Sequence, residues 1–333
     1  MVVKIPGIKI DIIATAVPKM ECDFRADSSR FGAEETERII RSTGISRVRK
    51  TRDDQTAADL CCAAAENLFA QDSSLRAQID ALVYVTITPD YLCPQTSPAL
   101  HNRLGLRKDA PCVDLSYGCS GYVYGLWQAS MMINSLGINR VLVLAGETMS
   151  KAVDQDDRAT ALIFGDGGSA TLVSKSDSQG LHFALGNDGA GNQSVRIPSS
   201  GFRKSSEPNR VFMDGTEIVN FVIREIPDHV TKLLNFAKIA SKDIELAVFH
   251  QASEMILKYL ERSLKLSGRC PMSGLQKFGN TGSASIPLTL STSSPGSARS
   301  AETALLCGFG VGLSWGSALV DLSRTLILPP VDV

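Results

Sequence analysis

The sequence lacks an excess of either charge and lacks long hydrophobic runs. Among 333 residues, 34 Lys and Arg stand against 35 Asp and Glu. Without a basic excess, nucleic acid and anionic membranes are poor candidates as main partners. No apolar run approaches the roughly 20 residues that a membrane-spanning helix needs, and three charged residues and a proline interrupt Met1–Ala14. We therefore expect neither a signal peptide nor a membrane anchor.

Disulfide and zinc signatures are also missing. The eight cysteines have no framework spacing and form no C-x-x-C pair. Disulfide-rich secreted domains and structural zinc sites depend on such spacings. The sequence therefore predicts a reduced, cytoplasmic protein without disulfides and without a metal.

What the sequence does contain is an alternation of strand and helix patterns, which is typical of an α/β fold. The strand patterns are Ala81–Ile87, Arg140–Ala145, Ala170–Val173, Glu245–Phe249 and Thr303–Leu306. The helical patterns are Ala33–Thr43, Thr56–Gln71, Gly121–Leu136, Gly215–Ala237, Ser253–Leu266 and Ser283–Leu290. We expect Pro227 to kink or split the fourth helix. The turn-rich segment Asp188–Asn209 is predicted to be a surface loop that could border a site.

An internal repeat emerges when the chain is shifted along itself by 164 residues. Gly118 then meets Gly282, and Gly146 meets Gly310, in register with two strand patterns of each half. Coincidence between glycine-rich strand-and-turn segments is the alternative explanation. A duplicated α/β unit predicts a pseudo-two-fold fold with its chemistry where the halves meet.

The length of the chain fits two such halves, which we place at residues 1–175 and 176–333. The first half carries extra residues near Glu147–Ala161. This insertion is rich in charged residues, so we expect it to be a surface loop.

Cys119 follows the strand pattern Pro111–Ser116 and precedes the helix pattern Gly121–Leu136. At such a turn, unpaired backbone N–H groups and the helix dipole favour a thiolate over a thiol. Cys119 is therefore a candidate nucleophile. On its own it could equally be a small apolar residue at a tight turn.

Two further polar residues complete a possible constellation. His250 ends a strand pattern, which is where ligands bind on open α/β sheets. Asn280 lies in a polar turn that the repeat pairs with the turn of Cys119; alone, it would be an ordinary cap or turn residue. A thiolate can accept an acyl group, and His and Asn side chains can donate hydrogen bonds to an enolate oxygen. Together the three residues indicate acyl-thioester chemistry.

These motifs resemble those of β-ketoacyl-acyl carrier protein synthase III, a condensing enzyme of the thiolase superfamily, over nearly the whole chain. The matching stretches are Ser42–Ile45, Gly118–Gly121, Ile163–Gly168, His250–Ala252, Gly279–Thr281 with Ala284–Pro287, and Gly308–Gly312 with Trp315–Ala318. The resemblance implies a five-layered αβαβα fold of two duplicated halves and a homodimer. It also implies a catalytic triad of Cys119, His250 and Asn280, and an oxyanion hole formed by the N–H groups of Cys119 and Val311.

The order of the motifs separates this chain from degradative thiolases, which share the fold. Thiolases have the Asn motif first, then Gly-His-Pro, then a cysteine near the C-terminus. Here the histidine comes first, and no Gly-His-Pro is present. We therefore interpret Cys307, which lies close to the position of that cysteine, as a buried strand residue.

The implied reaction has two stages and needs no cofactor. Cys119 takes an acyl group from an acyl-CoA or acyl-carrier thioester. His250 and Asn280 then stabilise the enolate formed as a malonyl-type thioester loses carbon dioxide, and its carbon attacks the acyl-enzyme to give a β-ketoacyl product, in fatty acid or polyketide-like biosynthesis. The alternative is an acyltransferase that passes the acyl group from Cys119 to a non-malonyl nucleophile. A third hypothesis is a non-catalytic dimer partner.

Substrate-binding positions depart from the family pattern. Arg38 and Ser42 stand where the family has a tryptophan and an arginine against the CoA adenine, whereas Arg158 keeps the family's basic residue. Ser253 and Met255 replace an Asn and an Arg after His-Gln-Ala. The resemblance assigns Arg38, Arg158 and Ser253 to substrate or CoA binding.

Three other features bear on carrier binding, the oxyanion hole and acyl binding. A basic helix face of Lys258, Arg262 and Lys265 could dock a carrier protein or could simply be solvated. Val311 replaces a glycine, so it keeps the N–H but cannot take a positive φ. Cys93 stands where some members have a Phe that enters the partner subunit's acyl pocket. The smaller residue predicts acyl groups longer or bulkier than acetyl.

Overall fold

The computed structural model describes residues 1–293 and 301–333, which form two mixed β-sheets and the helices that cover them. The helices are α1 (Ala33–Thr43), α2 (Ala57–Phe69), α3 (Ser97–Arg103), α4 (Gly121–Leu136), α5 (Gly215–Ala237), α6 (Glu254–Ser263), α7 (Ser273–Phe278) and α8 (Ser285–Thr292). The strands are β1 (Val2–Ile5), β2 (Ile8–Val17), β3 (Glu21–Asp23), β4 (Arg47–Arg49), β5 (Ala81–Val85), β6 (Cys112–Leu115), β7 (Arg140–Thr148), β8 (Asp166–Lys175), β9 (Leu181–Asn187), β10 (Val195–Arg196), β11 (Phe212–Met213), β12 (Leu246–Phe249), β13 (Ala304–Gly310), β14 (Ser314–Val320), β15 (Leu326–Ile327) and β16 (Val331–Asp332).

The two large sheets share one topology. The first has the order β15-β2-β8-β7-β5-β6, with β16 also paired to β2, and the second has the order β1-β9-β14-β13-β12. In both, two antiparallel pairings are followed by a parallel one, so β2-β8-β7-β5 corresponds to β9-β14-β13-β12. The strands that the repeat aligned are therefore equivalent in the fold.

Five layers follow from how the helices pack. Helices α4 and α8 lie between the sheets and contact strands of both. Helices α2 and α3 cover the outer face of the first sheet, and α5 covers that of the second, with α6 beside it. The prediction of a five-layered αβαβα fold is confirmed.

The central strands are buried on both faces because their two sets of side chains enter different cores. Along β5, Val83 and Val85 join the core between the sheets, whereas Leu82 and Tyr84 join the core under α2. Alternation of this kind is what the period of two in a strand produces. It explains why these strands have uninterrupted apolar sequences.

The halves exchange strands at the chain ends. Strand β1, from the start of the chain, pairs with β9 in the second sheet, whereas β15 and β16 pair with β2 in the first. The proposed division into 1–175 and 176–333 falls in the short connection from β8 to β9 and stays a prediction.

Helix α5 is continuous through Pro227, so a split, one of the two predicted outcomes, is excluded, and the kink stays a prediction. A proline removes the N–H that would bond the carbonyl four residues earlier. That carbonyl, of Ile223, instead accepts a hydrogen bond from the Tyr259 hydroxyl at 3.5 Å. The tertiary contact therefore replaces the lost helical one.

Two other expectations need correction. Helix α6 ends at Ser263, and Lys265 lies beyond it with a φ of 58°. Lys258, Arg262 and Lys265 therefore do not form one helix face. The predicted surface loop Glu147–Ala161 begins inside β7, which extends to Thr148, and Glu147 is fully buried.

Within the described residues, no helix has both the length and the apolar character needed to cross a membrane. All eight cysteines are free thiols. Cys307 is a fully buried residue of β13, as interpreted from the sequence.

Candidate active site

A cavity of about 210 Å³ brings together residues from both halves of the chain. Cys119, His250 and Asn280 all line it, although they come from the turn before α4, the end of β12 and the turn after α7. Most of the remaining wall is apolar and includes Ile87 and Phe309. The fold therefore places the three predicted residues around one water-poor space.

Cys119 lies beside Gly310, close to the start of α4. A Cβ atom at Gly310 would lie 2.8 Å from Cβ and 3.1 Å from Sγ of Cys119, so only glycine leaves room for the thiol here. The backbone N–H groups of Val311 and of Cys119 itself interact with the sulfur. Val311 has no positive φ, because the flanking Gly310 and Gly312 take the unusual conformations.

The electrostatics of Cys119 differ from the expectation of a resting thiolate. Burial raises the pKa of the Cys119 thiol to about 12, and the nearby carboxyl of Glu147 adds to the shift. The two N–H groups oppose it without cancelling it. The expectation is wrong because the cysteine lies at the floor of an apolar cavity, where desolvation penalises the charged form. The free enzyme therefore holds a thiol.

His250 is held in a neutral form. It is buried and its Nδ1 lies 2.8 Å from the Ser285 hydroxyl. Burial lowers the pKa of His250 to about 3, against a hydrogen bond to the backbone of Gly282. The ring also meets Phe309 edge-on, with centroids 5.6 Å apart. The neutral ring carries one N–H donor, and its tautomer decides whether that donor serves the backbone carbonyl of Gly282 or a ligand.

Asn280 is fixed through its backbone and its amide oxygen. Its N–H donates to the Ile163 carbonyl at 2.9 Å, and its carbonyl accepts from the Gly165 N–H at 3.0 Å. Its Oδ1 accepts from the Gly282 N–H at 3.0 Å. Among the described residues Nδ2 has no hydrogen-bond acceptor, and Asn280 lines the cavity. The amide is therefore oriented with a donor available to a substrate.

The residues assigned to substrate binding are dispersed. Ser253 lines the cavity and caps α6, where its hydroxyl accepts from the Ile256 N–H at 3.4 Å. Arg38 and Arg158 do not line the cavity. Their guanidinium nitrogens lie 2.6 Å and 3.1 Å, respectively, from a carboxylate oxygen of Glu35. Cys93 is exposed and does not line the cavity of its own chain.

A predicted loop and a residue that the sequence did not link to the chemistry lie at or behind the cavity wall. The segment Asp188–Asn209 does border the site, through Val195. Glu147 lies behind the wall, and sequence reasoning missed it because it was placed in a surface insertion. The sequence nevertheless contained a signal for its position, because the shift of 164 residues pairs Glu147 with Val311, a predicted oxyanion-hole residue.

Family models support one assignment for both halves of the chain. The model of 3-oxoacyl-(acyl-carrier-protein (ACP)) synthase III matches residues 113–189, and the model of its C-terminal part matches residues 234–322. A curated β-ketoacyl-(acyl-carrier-protein) synthase III of Streptomyces coelicolor is 34% identical over 94% of this chain and 93% of its own length. The chain belongs to the β-ketoacyl-acyl carrier protein synthase III family.

Solved structures agree with this assignment. A 3-oxoacyl-(acyl-carrier protein) synthase from Burkholderia xenovorans superposes with a TM-score of 0.94 at 33% identity, covering 100% of this chain and 99% of the other. A priming β-ketosynthase from the R1128 polyketide biosynthetic pathway gives a TM-score of 0.86 at 28% identity, covering 96% and 97%. The chain is thus a condensing enzyme of the synthase III type and an acyltransferase.

Proposed function

We propose that Cys119, His250 and Asn280 carry out a decarboxylative condensation, with Cys119 as nucleophile and the other two residues as hydrogen-bond donors to the enolate. The observation that supports this is their convergence on one apolar cavity, although they come from different halves. Neither half contains the whole set. The two enolate donors serve condensation, since simple acyl transfer from Cys119 does not require them.

The first stage is acyl transfer from an acyl-CoA or acyl-carrier thioester. The Cys119 sulfur attacks the thioester carbonyl, the carbonyl oxygen accepts from the N–H groups of Cys119 and Val311, and the carbon–sulfur bond to the donor breaks. The thiol proton ends on the departing thiolate. Because the resting sulfur is protonated, we expect this proton to leave only once a substrate fills the cavity.

The second stage forms the carbon–carbon bond. A malonyl-type thioester loses carbon dioxide, and the electron pair of the broken bond becomes an enolate that accepts from His250 Nε2 and Asn280 Nδ2. The enolate carbon then attacks the acyl-Cys119 carbonyl, and the Cys119 sulfur leaves and regains a proton. Decarboxylation supplies the carbanion, so the proposed reaction uses neither a metal nor a redox cofactor.

The acyl group is proposed to be longer or bulkier than acetyl. The cavity wall near Cys119 is apolar and includes Ile163, Phe164 and Met213. Cys93 is small and exposed, and in a dimer it would leave space in the partner subunit's pocket that a bulky residue would fill. Steady-state rates with acetyl, octanoyl and branched thioesters test this; a clear preference for acetyl contradicts it.

Docking of CoA or a carrier protein is proposed to involve the two arginines that share Glu35. Arg38 and Arg158 together outweigh that single carboxylate, which leaves a net positive charge for a phosphate. At the mouth, Met255 is about half exposed and lies where an apolar groove continues between α5 and α6 to Arg262. Lys258 is paired with Glu254.

A homodimer is proposed through strand β6. In the described structure β6 pairs only with β5, and its Val113 and Leu115 are partly buried beside Trp127 of α4. An apolar edge strand of this kind invites pairing with a second copy. We expect Val113→Asp to yield a monomer in light scattering.

A cytoplasmic location is proposed from the sequence, and the eight free cysteines are compatible with it.

The decisive experiment separates the two stages. Intact-protein mass spectrometry measures acylation of Cys119, and carbon dioxide release is then measured after addition of malonyl thioester. Asn280→Ala is expected to retain acylation and to lose carbon dioxide release by about 10²–10³-fold, the range typical of one lost oxyanion donor. Wild-type acylation without carbon dioxide release would instead support transfer to a non-malonyl nucleophile. Product formation by Cys119→Ala would overturn the mechanism.

A further inference from the structure

The internal repeat creates a second constellation that mirrors the catalytic one. The shift of 164 residues pairs Cys119 with Ser283, His250 with Thr86 and Val311 with Glu147. The fold bears out the pairing in three dimensions. A Cβ at Gly118 would lie 2.7 Å from the Val311 side chain, and a Cβ at Gly282 would lie 2.6 Å from Cγ of Glu147. Glu147 therefore packs against the turn of Asn280 in the same way as Val311 packs against the turn of Cys119.

The mirrored residues all bind one buried carboxyl. Glu147 is fully buried and accepts hydrogen bonds from the hydroxyls of Thr86 at 3.1 Å, Thr88 at 2.8 Å and Ser283 at 3.1 Å. The Ile87 N–H is 3.2 Å from both carboxylate oxygens. In the described part of the chain no cation pairs with Glu147. The carboxyl thus joins the strand end that carries Ile87 to the turn that carries Ser283.

This joint lies next to the enolate donors. Ser283 and Gly282 directly follow the Asn280-Thr281 pair, and the Gly282 N–H is the donor that fixes the Asn280 amide oxygen. Ile87 also lines the catalytic cavity. A displacement of the Glu147 carboxyl would therefore change both the orientation of Asn280 and the position of Ile87 in the wall.

We propose that Glu147, acting through Ser283 and Gly282, is a positioning residue for the condensation stage, which it serves by holding the Asn280 amide in the orientation that donates Nδ2 to the enolate. This inference rests on the proposed function of Asn280. An apolar side chain would fill the space without the cost of burying a carboxyl. The carboxyl instead fixes the relative position of the two segments that it joins, because four hydrogen-bond donors from those segments bind it.

Among the described residues, the titratable groups near Glu147 do not provide an ion-pair partner for its carboxyl. The groups that interact electrostatically with Glu147 are Cys61 of α2, Tyr84 of β5 and Cys119. Burial raises the pKa of Glu147 to about 7, whereas its four hydrogen bonds lower it. Burial also raises the pKa of each of these three neighbours, so all three remain neutral. The carboxyl therefore acts on the site through hydrogen bonds.

The test uses Ser283→Ala and Glu147→Gln in the full chain, with Ser130→Ala as a matched control. Ser130 is equally buried, and among the described residues its hydroxyl bonds only the Leu126 carbonyl of its own helix. Cys119 acylation and carbon dioxide release are measured separately. Both test variants are expected to lower carbon dioxide release about tenfold, an activation difference of about 1.4 kcal/mol, while acylation stays unchanged or becomes faster in Glu147→Gln. The control is expected to leave both stages unchanged.

A structural role alone predicts a different pattern, in which both stages fall together with the thermal midpoint. That pattern overturns the inference, as does full carbon dioxide release in Ser283→Ala. If Glu147→Gln does not fold, Ser283→Ala, which removes a single oxygen, decides alone. If the wild type is acylated without releasing carbon dioxide, the condensation function itself fails and the inference fails with it. The wild-type measurement distinguishes these two failures.

Discussion

Replacement of Gly310 by alanine gives the sharpest steric test of the proposed nucleophile. The new Cβ would lie 2.8 Å from Cβ and 3.1 Å from Sγ of Cys119. Carbon atoms in good contact are about 3.5–4.0 Å apart, so Cys119 and its sulfur must move by about 1 Å. A displacement of this size at a reacting atom costs about a hundredfold in rate. We therefore expect acylation of Cys119 in Gly310→Ala to be about a hundredfold slower.

Intact-protein mass spectrometry over a time course with an acyl thioester measures this rate. Gly316→Ala is the control for crowding alone, because Gly316 lies on the neighbouring strand β14 and a Cβ there would meet side-chain atoms of Leu185 and Val123 instead of the nucleophile. Alanine at Gly310 also strains the backbone, whose φ there is 156°. The thermal midpoints of the two variants show whether the fold is retained. Acylation of Gly310→Ala at the wild-type rate would refute the placement of Cys119 as the attacking group.

Three further predictions follow from burial of the titratable groups. Because burial lowers the pKa of His250 to about 3, its imidazole stays neutral and its NMR signals are expected not to titrate between about pH 5 and 8; a midpoint in that window contradicts this. Because burial raises the pKa of Cys119 to about 12, its alkylation by iodoacetamide, followed by peptide mapping, is expected to accelerate beyond about pH 9, and a plateau near neutrality contradicts this. Burial raises the pKa of Glu147 from 4.5 to about 7 in the folded protein. The protonated carboxyl therefore contributes its full stability below the unfolded-state pKa of 4.5, and that contribution is lost as the pH rises through the folded-state pKa. The free energy of unfolding of the wild type, measured by urea denaturation relative to Glu147→Gln, is expected to fall by about 3 kcal/mol between these two pKa values. If the difference between the two proteins does not change with pH, the pKa of Glu147 is not raised.

Much of the architecture could be predicted because its signals are local or repetitive. Helices Ala33–Thr43, Gly121–Leu136 and Gly215–Ala237 have the predicted bounds. The first and third show apolar periodicity, and the first two are followed by glycines in left-handed conformations. The strand ends were predictable through the register of the repeat. Cys119 and His250 follow strands of different sheets, and it was the repeat, which predicted chemistry where the halves meet, that brought them together before any contact was known.

Protonation states could not be predicted from the same patterns. The turn of Cys119 offers N–H groups and a helix N-terminus, which favour a thiolate, and the sequence shows both. What the sequence does not show is that distant segments pack around Cys119 and leave it only partly exposed. Phe309 and Ile87 are far apart in the chain but line one cavity. Desolvation depends on that packing, and here it outweighs the local donors.

Glu147 illustrates a different limit. The alignment of the halves located an insertion but not its first residue, so a strand end was interpreted as loop. Charge made the error natural, because buried carboxylates are rare unless paired. The repeat nevertheless contained the correction, since a residue that follows Gly146 must occupy the position that Val311 occupies after Gly310. Equivalent positions in a duplicated fold share geometry and differ in chemistry. In one half the position holds Val311, whose N–H is proposed to face the nucleophile, and in the other it holds Glu147, which is proposed to anchor the turn of the enolate donor, so we expect the two halves to function only together.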